Sequence, residues 1–179
     1  MNHSKLKRLI FYALCCDLGL FSKRLIAPAA NIITEALHIP GGIGTSFSLM
    51  FLVIAASLSG RFGCATLMGA VQSLLAIGMG MVGSMGALSP IGYIVPGLVI
   101  DCIFFFFRIL PSQKADGTFA IPAANMLAAV AACLTANLIV FRLRGVVLLL
   151  YASVSATTGF LFGLLGIYLV RRLRPVLDL

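Results

Sequence analysis

The chain has little charge and almost no acid: of its 179 residues only 10% are charged, five are Asp or Glu, and none is tryptophan. Soluble domains are about one-quarter charged, so this polar complement is too small to cover one. Without tryptophan, flat stacking surfaces are left to four tyrosines and 13 phenylalanines. Catalytic signatures are missing as well. There is no Walker A loop, HExxH, GxSxG or Cys/His cluster, so neither an enzyme nor a cofactor- or metal-binding protein is expected. An Arg-rich voltage sensor and a Gly-Tyr-Gly filter are also lacking, which disfavours a channel. The five cysteines, Cys15, Cys16, Cys64, Cys102 and Cys133, stand in apolar runs without ligand spacing. They read as small, buried packing residues.

What fills the chain instead is apolar sequence, 61% of the residues with a mean hydropathy of +1.11. A membrane-crossing helix needs about 20 mainly apolar residues. Six such stretches can be placed, at about 6–25, 43–60, 64–82, 91–110, 122–141 and 146–170. The expected fold is an all-α integral membrane protein, a single six-helix bundle over residues 1–179. Lys5-Leu6-Lys7-Arg8 followed by an apolar run has the outline of a secretory signal, but no small-x-small cleavage site follows and Asp17 interrupts it. It reads as the first membrane helix. From Pro28 to Thr45 a short amphipathic stretch leads into Pro40-Gly41-Gly42, which predicts a structured or partly re-entrant first loop. Gly60-Arg61-Phe62-Gly63 predicts a tight turn, 83–90 an uncharged Gly/Ser/Pro connection, and 111–117 the only conventional polar loop.

Cation placement sets the expected orientation. With a cytoplasmic N-terminus, the inner side holds Lys5, Lys7, Arg8, Arg61, Arg108, Lys114, Arg171, Arg172 and Arg174. The outer side holds Lys23, Arg24, Arg142 and Arg144. The nine-to-four bias predicts both termini inside. A net charge of +8 then belongs to membrane anchors rather than to nucleic-acid binding. Lys23 and Arg24 are expected to snorkel to the headgroups, and Arg142 and Arg144 either do the same or attract an anionic group.

Polar groups within the apolar runs are where function is sought, because an ionisable side chain in hydrocarbon must face protein, water or a partner. Asp17 and Asp101 qualify, with Asn125, Asn137, Gln72 or Thr135 as candidate partners across the bundle. Asp101 fits a structural or a ligand-binding role equally. Asn31, Glu35 and His38 follow i, i+4, i+7 spacing and form either one wall of a pocket or a solvated stripe. Small residues recur every fourth position at Ala124, Ala128, Ala132 and Ala136, and again at Ala152, Ala156, Gly159 and Gly163. Such ridges either pack the fifth and sixth spans together or offer a docking face to another membrane subunit.

The six-span layout, the long first outer loop and the Gly-Arg-Phe-Gly turn resemble the substrate-binding S components of energy-coupling factor (ECF) vitamin transporters. The run from Gly92-Tyr93 through Pro96-Gly97-Leu98 to Asp101-Cys102-Ile103-Phe104 is similar to a stretch of the hydroxymethylpyrimidine/thiamine S components. Pro96 stands where that stretch has an amide residue, and Asp101 where it has a longer acid. The resemblance implies capture of a small vitamin or vitamin precursor from outside, with delivery by a coupling membrane protein and two cytoplasmic ATPases in a bacterial or archaeal plasma membrane. It implies a ligand site drawn from Asn31, Glu35, His38, Tyr93, Asp101, Asn137 and Tyr151, whose acids would suit an aminopyrimidine or cationic heterocycle. It also implies docking through small residues of the first helix, here Ala13, Cys15 and Gly19. The layout also resembles small six-span rod-shape-determining membrane proteins, and a stand-alone proton-coupled transporter is a third reading.

Overall fold

The computed structural model describes residues 3–36, 43–81, 86, 88–109, 119–139, 142 and 145–176. Six helices follow one another: α1 (His3–Ala36), α2 (Ile43–Ser59), α3 (Cys64–Gly78), α4 (Ser89–Ile109), α5 (Ala120–Ile139) and α6 (Val146–Leu173). Among the described residues there is no strand. Ser89–Arg108, Ala120–Ile139 and Val146–Leu173 are long and apolar enough to cross a membrane. The apolar α2 and α3 are shorter, 17 and 15 residues, or about 26 and 23 Å at 1.5 Å per residue.

Two boundaries differ from the sequence reading by four residues or more. The first helix does not end near Leu25 but runs 34 residues, through Pro28, to Ala36. A proline inside a helix deletes one backbone donor. Here its neighbours Ala27, Ala29 and Ala30 are strong helix formers, so the helix passes through. The irregular loop predicted from Pro28 is therefore helical up to Ala36, and 37–42 lie outside the described residues. The third helix, expected to reach Val82, stops at Gly78. Gly80 takes φ +67, its N–H donates to Ile77 O at 3.0 Å, and Met81 N–H donates to Ala76 O at 2.7 Å. That pair of bonds is a Schellman motif, which turns the chain back on glycine's left-handed freedom.

The second helix lies at the centre, packed against every other helix. Leu52, Val53, Ile54 and Ala55 are all but inaccessible, and with Ile100, Ala124 and Ala128 they form the core. Around α2 the helices approach through small residues. Gly69 of α3 lies so close to α4 that a Cβ would sit 2.5 Å from Tyr93 O, and a Cβ on Gly97 of α4 would sit 2.6 Å from Ala65 O. The two backbones touch at both levels. On α6, Gly159 meets the Asn125–Ala129 stretch of α5, and Gly163 meets Pro122.

The pattern of α6 is inverted relative to a soluble helix. Its buried positions are Ser155, Gly159, Gly163, Gly166 and Val170, whereas Leu149, Leu161 and Tyr168 are exposed. Large apolar side chains pointing outward and small ones inward fit a hydrocarbon surround, where close backbone packing rather than expulsion from water joins helices. The cysteine expectation holds for Cys15 and Cys16, which are buried, but Cys102 is exposed. Replacing Gly159 with Leu should force α5 and α6 apart at a cost of about 1–3 kcal/mol or more. Thermal unfolding in detergent should show a clear drop in Tm for Gly159→Leu and little change for the outward Leu161→Ala.

Candidate functional site

The third helix begins without a cap of its own. Gly63 precedes it in the left-handed conformation and has no side chain to accept from the first amide groups, which lack intrahelical partners. The acceptor arrives from α4. Asp101, 2% exposed, accepts from Ala65 N–H at 3.2 Å, Thr66 N–H at 2.8 Å and the Thr66 hydroxyl at 2.6 Å. A carboxylate at a helix N-terminus also meets the positive end of the helix dipole. Asp101 is thus a cap supplied in trans that fixes α3 to α4. Beside it a small, open cleft is walled by Arg61, Phe62, Phe105 and Arg108.

None of the four partners expected for the buried acids reaches Asp101. Gln72 donates to Cys16 O at 2.8 Å, Thr135 to Ala131 O at 2.7 Å, and Asn137 to Cys133 O at 2.9 Å. Asn125, fully buried, donates to Gly159 O at 2.7 Å and Ser46 O at 3.3 Å, while Ser46 shares a 3.0 Å bond with Thr158. The reason is common to all four: in an apolar interior the nearest backbone carbonyl satisfies an amide or hydroxyl at lower conformational cost than a distant side chain. Asp17 is exposed on α1.

Tyr93 lies at the other end of the bundle, eight residues or about 12 Å along α4 from Asp101. Its ring is capped by the Lys23 ammonium, 4.6 Å from the centroid, within the range of a cation–π contact. One helical turn before Tyr93, Ser89 is buried, and its hydroxyl has no hydrogen-bond partner among the described residues. One turn before Lys23, Gly19 packs so tightly that a Cβ would meet Gln72 Nε2 at 2.6 Å, and Ser48 donates to its carbonyl at 2.5 Å. Lys23 and Tyr93 thus meet at a half-buried point between α1 and α4, with Ser89 one turn away along α4.

The remaining sequence candidates fall as follows. Asn31 and Glu35 belong to the last turns of α1, but their side chains, like the whole of His38, lie outside the described residues. Asn137 closes on its own helix, and Tyr151 is half-buried near the start of α6. The described contacts join none of these to Tyr93 or Asp101. The docking ridges are occupied inside the chain. Cys15 is 4% exposed and Gly19 is closed by α2 and α3, which leaves Ala13 alone exposed on the first-helix set. Ala124, Ala128 and Ala132 are core residues. Close helix packing inside this chain consumes the small-residue faces that the sequence offered to a partner.

Lys23, Thr66, Ser89 and Ser46 were not among the sequence candidates. A signal for Thr66 existed: a helix start whose cap position is Gly63 must borrow an acceptor from elsewhere. Lys23 carried a weaker one, since a cation next to an apolar run reads equally as a headgroup anchor. Compared with protein families, curated proteins and solved structures, the chain matches none.

Charged hydrogen bonds contribute about 1.5–3 kcal/mol each. Asp101→Ala should therefore lower thermal stability strongly, Asp101→Asn should retain part of the cap and lose less, and Thr66→Ala should lose least. Differential scanning fluorimetry of the three variants gives this order, and an Asp101→Ala protein as stable as the wild type would dismiss the cap.

Proposed function

We propose that this chain is the substrate-capturing S component of an ECF-type importer. In this reading it is a six-span bundle in a bacterial or archaeal plasma membrane with both termini in the cytoplasm. It binds a small vitamin or vitamin precursor from outside and passes it on with a coupling protein and two ATPases. The observation that carries the reading is the corner at Tyr93: an aromatic ring in the motif-like run, covered by a single ammonium group and one turn from a buried hydroxyl without a partner. An aromatic face, a cation and an unused hydroxyl are groups that an incoming heterocycle can engage. Asn31, Glu35, His38, Asn137 and Tyr151 belong to the expected outer wall of the same pocket.

The charges narrow the ligand. The cationic heterocycle expected from the acids loses Asp101, whose carboxylate is committed to α3, and would meet Lys23 at the Tyr93 ring. A neutral aminopyrimidine such as hydroxymethylpyrimidine avoids that repulsion and can stack on the ring when the Lys23 side chain swings aside. The full chain in nanodiscs should bind hydroxymethylpyrimidine more tightly than thiamine in calorimetry, and Tyr93→Ala should weaken binding at least about tenfold, the loss of roughly 1.4 kcal/mol of contact. Absence of binding to either compound, together with purification free of a coupling protein and ATPases, would leave the rod-shape-determining type of assembly protein as the better account. Proton-coupled uptake by the chain alone in liposomes would favour the stand-alone transporter.

A further inference from the structure

At the end of the bundle remote from Tyr93, the cleft beside Asp101 carries two guanidinium groups, Arg61 on the α2–α3 turn and Arg108 in the last turn of α4. The turn brings them together. Gly60 has φ +63, and a Cβ there would lie 3.4 Å from Arg108 Nη2, so the α4 arginine rests against the backbone that presents Arg61. Asp101, the one acid in the cleft wall, already accepts three hydrogen bonds from α3 and from the dipole end of that helix, so the cleft keeps a net positive field. On α1, Arg8 Nε is buried and has no partner among the described residues.

Next to these cations stand large apolar rings. Phe62 is 64% exposed and Phe105 53% exposed, and their rings pack edge to face at 5.5 Å. Guanidinium groups with outward phenylalanines at one level mark the depth at which phospholipid phosphate meets acyl chain. We propose that the Arg61–Arg108 cleft is a binding site for the phosphodiester headgroup of an anionic phospholipid. The planar forks of the two arginines hold the phosphate oxygens, and the Phe62–Phe105 pair lies along the first acyl carbons. Nothing in this site depends on the ligand proposed for the Tyr93 corner.

Native mass spectrometry of the full chain released from nanodiscs of mixed phosphatidylglycerol and phosphatidylcholine tests the assignment. The wild type should retain phosphatidylglycerol in preference to phosphatidylcholine, and the R61Q/R108Q double variant should lose that preference at least about tenfold, as expected for removing two charge-assisted contacts. Arg142→Gln, at the α5–α6 turn, should leave it unchanged. Equal retention of the two lipids by the wild type, or undiminished preference in R61Q/R108Q, overturns the proposal. So does displacement of the lipid by millimolar inorganic phosphate, which would assign the cleft to free phosphate. If R61Q/R108Q does not fold, R61K and R108K carry the test, because they keep the charge and remove the fork. Each should weaken phosphatidylglycerol retention several-fold, and unchanged retention in both overturns the site.

Discussion

The bond from Asp101 to the start of α3 is the contact on which the geometry of this half of the molecule depends. A helix of only 15 residues with glycine at its cap position has no acceptor of its own for its buried first amides. Once Asp101 supplies the acceptor, the vertical register of α3 against α4 is set to within one residue. That register brings Gly69 against the Tyr93 carbonyl and Gly97 against the Ala65 carbonyl, contacts that would clash if either helix slid by a turn. The Tyr93 contact with Gly69 thus goes with a carboxylate about 12 Å away along α4.

The same economy of polar groups runs through the rest of the bundle. Gln72 ties α3 to α1 through Cys16 O, Ser48 ties α2 to Gly19 O, and Asn125 ties α5 to both α2 and α6. Each bond ends on a backbone carbonyl and each sits beside a small residue that lets the helices close. Since lipid offers helices no hydrophobic reason to associate, such bonds and the tight glycine contacts are what hold the bundle together. Among the described residues Asn125 Oδ1, the Ser89 hydroxyl and Arg8 Nε are buried without a partner; the Lys23–Tyr93 contact and the arginine cleft lie at opposite ends of α4. One suits a solute arriving from water, the other a headgroup at the membrane surface.

Much of the fold was legible because hydrophobic length is a one-dimensional property. The starts of α2, α3 and α6 and the ends of α2, α4 and α5 fall within about two residues of the apolar runs. The failures were local. Pro28 reads as a helix terminator because proline usually is one, yet a single lost donor among alanines did not stop α1. Gly80 rather than Gly83 ended α3, since several glycines stood in succession and only the hydrogen bonds decide which one adopts the left-handed turn. The site was less legible. Tyr93 was recognised as a candidate, but Lys23 was assigned to the headgroups, and Asp101 was grouped with Tyr93 although the two sit at different depths.

By itself, the sequence determined that this chain is helical and apolar, where its helices lie along the chain, and which few polar residues must find partners. Those follow from composition and run length, which are independent of how the helices meet. Only the tertiary structure decided the partners: Asp101 with Thr66, Asn125 with Gly159, Lys23 with Tyr93. It also decided that the ridge of Cys15 and Gly19 faces inward rather than toward another subunit. The physical reason is that a polar side chain in a dry interior bonds to whichever carbonyl or amide the packing brings within about 3 Å, and that proximity depends on helix register, which no periodicity in the chain encodes.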